Sequence, residues 1–286
     1  MRYATWIIAV GALGALPGLP VASAAPADAP PAQAPDAPCA PAAEAPTAPA
    51  PATEAPKAPA AEPLPPDVEK VLDAMDAAGR KIATLRAQFD YELNQTLYED
   101  IQKRKGRLAY KAPNLLRFEF TTKPEETFVF DGRSVYHVKP ATRQLVQWEL
   151  RTADEKPVEA LTLGKTPFPL PFGQKKEAVL EHFTVGRDAA AEKTAGKDRA
   201  VLALVPRKGT PLAEDYTRIL LWINTERNLP VRARLYDVSE NITTVDFHHI
   251  EMNAEVNADQ FARPQAPNDW EVVEHRKADE GQKEAP

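Results

Sequence analysis

Histidines, cysteines and converging carboxylates carry most bond-making chemistry, and their spacing in this chain argues against a catalytic centre. The five histidines are His137, His182, His248, His249 and His275. His248 and His249 are adjacent in a stretch that alternates like a strand, so they face opposite sides and cannot share a metal ion. Cys39 is the single cysteine; it excludes an intramolecular disulfide and leaves the following domain without a thiol nucleophile. There is no Gly-x-Ser-x-Gly, no P-loop and no Gly-x-Gly-x-x-Gly. Acids are numerous, but on the apparent strands they alternate with apolar residues and read as a solvated outer face. Asp237, Glu240 and Asp246 spread over a hairpin instead of converging. The sequence therefore predicts no catalytic residue, no metal site, no cofactor and no enzyme. An enzyme would need a polar cluster inside the fold.

The elements that would hold these residues are mostly strands. Val68, Val71, Leu72 and Met75 recur at helical spacing behind Asp67, with Ile82 following, which predicts an amphipathic helix over 67–83. The period then drops to two. Phe89, Tyr91 and Leu93 alternate with acids and Asn94, and Leu116, Phe118 and Phe120 with Arg117 and Glu119. Asp131-Gly132 marks a hairpin turn, and further strands are expected near 104–112, 127–130, 134–138, 144–150, 199–205, 216–223, 230–238 and 242–251. Short connections predict an antiparallel meander that can curve strongly. Between its two parts, Thr166 to Phe172 is apolar but broken by proline and cannot be a central strand; a short helix follows over 174–183. The fold class expected is mainly β with α: a curved antiparallel sheet forming an incomplete β-barrel covered by a lid of short helices.

Alternation assigns Phe89, Tyr91, Leu116, Phe118, Phe120, Tyr136, Val138, Trp148, Trp222, Val245 and Phe247 to the concave face. Val71, Leu72, Met75, Phe168, Leu170 and Phe172 are expected to form the lid. Pattern alone leaves open whether the interior is packed or hollow.

Outside this domain the composition changes. Arg2, an apolar run to Leu19 and Val21-Ala-Ser-Ala24 form a secretory signal peptide over 1–24. Residues 25–66 hold 14 prolines and 17 alanines and no aromatic, which predicts a disordered linker on the order of 100 Å long. The working domain is expected over 67–275, with a charged, disordered tail over 276–286. The formal net charge of −6 and the mildly acidic domain argue against nucleic acid.

In order along the chain, several segments resemble the LolA family of periplasmic lipoprotein carriers. They are Gln88-Phe89-Asp90 to Gln95, Gly106-Arg-Leu-Ala-Tyr-Lys-Ala-Pro-Asn-Leu-Leu-Arg-Phe118, Phe130-Asp-Gly-Arg-Ser-Val-Tyr136, Leu202-Ala-Leu-Val-Pro206, Asn228-Leu-Pro230, and Asp237 through Pro264. The resemblance implies a lidded, incomplete barrel whose apolar cavity takes the acyl chains of lipoproteins. It further implies an exported, periplasmic monomer that receives cargo from an inner-membrane ABC transporter and delivers it to an outer-membrane receptor. A lipid- or lipoprotein-sensing module on the same fold, without transport, is the alternative. The family's lid is latched by an arginine before a proline; here that position is Ala112, before Pro113, while Lys111 is expected on the opposite side of the strand.

Overall fold

The computed structural model describes residues 64–152, 154–157 and 170–277. The expected signal peptide, the linker up to residue 63, Cys39, the lid residue Phe168 and the tail beyond 277 lie outside the described residues.

The described chain opens with helix α1 (Pro66–Gly79). Pro66 sits in the first turn, where its fixed φ suits a helix and its missing N–H is not needed, and Asp67 and Glu69 complement the positive end of the helix. Val68, Leu72 and Met75 form its buried stripe. The helix stops at Gly79, short of the expected 83. A Cβ on Gly79 would come within 2.9 Å of the Gly173 backbone, so helix and lid segment approach at a point where neither carries a side chain. Ile82 lies past this crossing and is buried elsewhere.

Twelve strands follow: β1 (Thr84–Gln95), β2 (Asp100–Lys111), β3 (Leu115–Phe120), β4 (Glu126–Phe130), β5 (Ser134–Lys139), β6 (Gln144–Glu149), β7 (Phe183–Arg187), β8 (Arg199–Pro206), β9 (Tyr216–Asn224), β10 (Leu229–Asp237), β11 (Ile242–Met252) and β12 (Glu271–His275). Helix α2 (Lys176–His182) precedes β7; α3 (Ala189–Ala195) and α4 (Pro211–Asp215) flank β8. They make one open, curved sheet in the order β12-β6-β5-β4-β3-β2-β1-β11-β10-β9-β8-β7. All pairs are antiparallel except β12, which lies parallel to β6. The chain thus runs outward from β1 to one side, jumps to the far edge at β7 and returns through β11 to pair with β1.

Two apolar clusters cover the inner face. One, over β1 to β6 and β11, is built on Leu85, Phe89, Leu116, Phe128 and Phe130, with Leu170 and Phe172 of the lid segment packed into it. The other, over β7 to β10, joins Leu202, Leu221, Ile223 and Phe183 to Val68, Leu72 and Met75 of α1. A mainly β fold with a helical lid over a curved antiparallel sheet is therefore what the molecule has.

Candidate functional site

The site is assembled on the inner face from the register upward. Phe89 pairs with Phe247 on one side and Gly106 on the other, and Gly106 pairs with Phe120. A side chain on Gly106 would overlap the Phe89 ring at 2.1 Å, so this glycine lets Phe89 lie across β2. The ring stacks on Phe118 at 4.2 Å between centroids and meets Phe120 edge-on at 5.5 Å. Tyr91 meets Phe120 at 5.5 Å, and Phe172 of the lid meets Phe247 at 4.8 Å.

Of the residues expected on the concave face, Phe89, Tyr91, Leu116, Phe120 and Phe247 are buried together in the first inner cluster. Phe118, Trp148 and Val245 pack against it. Of the expected lid, Leu72 and Met75 are buried over β7 to β10 with Val71 packed beside them, and Leu170 and Phe172 lie over the other half.

Three residues expected on the concave face point the other way. Tyr136 is buried with Val129 and Leu145, and Val138 packs against them under Ala266. Pairing across β4 and β5 sets Phe128 opposite His137 and Phe130 opposite Val135, so it is Val135 and His137 that face inward. Trp222 packs with Val201 and Leu220 against Ala191 and Ala195 of α3. The cause is the same in both cases: Val135–Val138 and Ile219–Ile223 are apolar on both parities because both faces are covered, so alternation carries no sign there.

The register also brings a polar cluster inward. Arg104 pairs with Tyr91, and Glu126 pairs with Phe120; both side chains are only about a tenth exposed, and His137 is fully buried. His137 Nε2 lies 3.1 Å from Glu126 Oε2, and Arg104 Nη1 lies 3.7 Å from the same oxygen. Arg104 Nη2 donates to the Pro124 carbonyl at 2.6 Å, and the guanidinium sits 3.6 Å over the Phe120 ring. His137 stacks on Phe128 at 3.9 Å. Burial pushes the Glu126 carboxyl up, but the His137 hydrogen bond and the Arg104 charge outweigh it, leaving it below the ordinary carboxylate range. Burial lowers His137 against the opposing pull of Glu126. Burial pushes the neighbouring Tyr91 hydroxyl up to about 12, with a hydrogen bond to Thr243 opposing.

Glu126 corrects the expectation that strand acids form a solvated outer face, and Arg104 and His137 lie inward with it. Parity would have found them: Arg104 shares it with Leu108 and Tyr110, Glu126 with Phe128 and Phe130, and His137 with Val135. Chemically the cluster contains a histidine oriented by a carboxylate, but no hydroxyl or thiol among the described residues contacts its free Nδ1. It has the parts for binding and orientation, and lacks a nucleophile. Among the described residues no group of histidine, cysteine or acidic side chains could hold a metal ion.

The outer face carries a separate groove of about 1000 Å³, lined among others by Arg86, Arg107, Lys111, Arg117, Glu119 and Glu251. Its charged walls do not suit an acyl chain. Lys111 faces this groove, as expected for the neighbour of Ala112, and the Ala112 N–H donates to the Ala83 carbonyl at 2.8 Å.

The family model for outer membrane lipoprotein carrier protein LolA matches residues 80–264. The chain belongs to the LolA family. The curated relatives matched are the outer-membrane lipoprotein carrier proteins of Haemophilus influenzae strains PittEE and Rd, each 29% identical over 83 residues. That match spans 29% of this chain and 40% of each relative. Similar solved structures include an uncharacterized conserved protein of Thermus thermophilus (TM-score 0.43, 13% identity, 73% of this chain and 99% of the other). Another is a LolA-superfamily protein of Nitrosomonas europaea (TM-score 0.36, 11% identity, 68% and 97%). A third is the MucA/MucB complex of Pseudomonas aeruginosa (TM-score 0.38, 16% identity, 69% and 61%).

Proposed function

We propose that this LolA-family chain is a non-enzymatic, exported carrier that takes acyl chains of lipoproteins against the inner face of its sheet and moves them toward the outer membrane. The observation that carries the reading is an apolar inner face roofed by α1, Leu170 and Phe172. These cover the sheet with side chains and add no strand to its ladder, so they can be exchanged for an acyl chain without breaking it. Each methylene transferred from water to such a surface gains about 0.8 kcal/mol, so a full chain needs no polar contact to bind. The candidate ligand contacts are Phe89, Tyr91, Leu116, Phe118, Phe120, Trp148, Val245 and Phe247. An inner-membrane ABC transporter and an outer-membrane receptor are the partners this reading requires, with the carrier acting as a monomer in the periplasm.

Saturable binding of a fluorescent fatty acid to the purified protein tests the first step, and its failure sinks the reading. Depletion of the protein in its own host tests the second. Lipoproteins retained at the inner membrane support a carrier, whereas normal sorting with intact acyl binding makes the protein a sensing module.

A further inference from the structure

The buried cluster at Arg104, Glu126 and His137 has two polar atoms left over. Arg104 Nε and His137 Nδ1 are fully buried and have no hydrogen-bond partner among the described residues. Glu126 Oε2 lies within reach of His137 Nε2 and Arg104 Nη1. A carboxylate there takes a proton on Nε2 as donor, which leaves His137 Nδ1 as a bare acceptor. Arg104 Nε keeps a hydrogen to donate. An unmatched donor and an unmatched acceptor thus lie on one apolar face, and each keeps its desolvation cost while unpaired.

Among the three residues the charge is balanced, with Lys139 a further cation whose field reaches Glu126 and His137. Arg104 is offset by Glu126, and His137 is held neutral by its surroundings. An anionic group brought to Arg104 Nε would lie beside the Glu126 carboxylate and be repelled by it, whereas a neutral group meets no such opposition. The group that fits must offer an oxygen to Arg104 and an N–H or O–H to His137.

We propose that Arg104 and His137 form the polar end of the ligand site and select amphiphiles with an uncharged, hydrogen-bonding end, such as an acyl amide or an acyl ester with a free hydroxyl, over free fatty acids. This rests on the acyl-binding reading above and adds to it the class of polar group that the chain must carry. The flanking rings, Phe120 beneath the guanidinium and Phe128 beneath the imidazole, belong to the first apolar cluster, so a chain attached to that polar end would lie along the same face in place of its cover.

The test is displacement of a fluorescent acyl reporter from the full chain at pH 8 by palmitamide, palmitoylglycerol and palmitate, repeated with Arg104→Lys and His137→Phe. Arg104→Lys keeps the charge that Glu126 requires and removes Nε–H; His137→Phe keeps the ring stack and removes Nδ1. Both neutral ligands are expected to bind about tenfold more tightly than palmitate, and either substitution should bring the three affinities together. Equal affinity for all three ligands, tighter palmitate binding, or a preference that both variants retain would overturn the proposal and leave acyl binding standing; in that case water satisfies the two atoms. No saturable binding by any ligand would overturn the acyl-binding reading and this proposal with it. An unchanged thermal midpoint in Arg104→Lys separates lost recognition from lost folding.

Discussion

Under α1 the inner face consists of Leu202, Leu221, Ile223, Phe183 and Val185 meeting Val68, Leu72 and Met75. Toward β4 and β5 it meets Arg104, Glu126 and His137, with Phe120 and Phe128 as their stacking floor. The first half is held by contacts that have no direction, so one apolar group can replace another at modest cost. The second is held by contacts that fail together when a member is removed. The difference separates a wall held by directional contacts from an apolar cover, and on the acyl-binding reading proposed above entry would lie on the α1 side.

Loss of a member of the ionic cluster should have the largest effect. Glu126→Ala leaves Arg104 buried without its counter-charge and should cost about 3–5 kcal/mol, read from denaturant unfolding. Leu72→Ala, at the centre of the α1 stripe, should cost about 2 kcal/mol, the low end for such a truncation, because the helix can resettle on the sheet. It should also speed the uptake of a fluorescent acyl chain. If Leu72→Ala proves the more damaging of the two, the assignment of wall and cover is inverted.

Acid sharpens the same contrast. Glu126 and His137 both have folded pKa values below their ordinary ones, so the unfolded chain binds more protons as pH falls, and stability rises with pH. The loss should begin as pH drops below about 6.5, through His137, and deepen below about 4.3, through Glu126. Thermal melts across this range should show both steps, and His137→Phe should remove the upper one. The smallest effect belongs to the lid's surface clasp, where Lys176 Nζ lies 2.8 Å from Glu69 and 2.7 Å from Asp73. Lys176→Gln should lower the thermal midpoint slightly at low salt and not at all at high salt.

Where one face of a strand is solvated, the fold was legible in the sequence. Phe89, Tyr91 and Leu93 alternate with polar neighbours and sit on the inner face as the pattern demands. Legibility failed where both faces are covered, because Trp222 and Tyr136 are as apolar as the residues they alternate with. α3, which covers Trp222, is too short and alanine-rich to announce itself, and β12 is a short polar stretch whose strand character comes from its partner. The ionic cluster was missed for a different reason. A charged residue on a strand suggests solvent, and only its parity, read against Leu108 or Phe130, shows that it faces the other way. Gly106 was visible as a motif residue, but the reason for it, the Phe89 ring crossing β2, required the register.

The parallel strand β12 has a consequence for the molecule in company. Without it β6 would end the sheet, presenting an unpaired row of backbone donors and acceptors to any other copy. β12 occupies that row from Gln144 to Trp148, and the outermost position passes to a segment bearing Glu271, Glu274 and Arg276, with Glu274 tied to Arg263 and Arg276. Charge at a sheet margin discourages stacking of strand on strand. A chain shortened before Glu271 should remain folded around its inner face yet polymerise at high concentration, because this margin of the open sheet would then lose its charged guard.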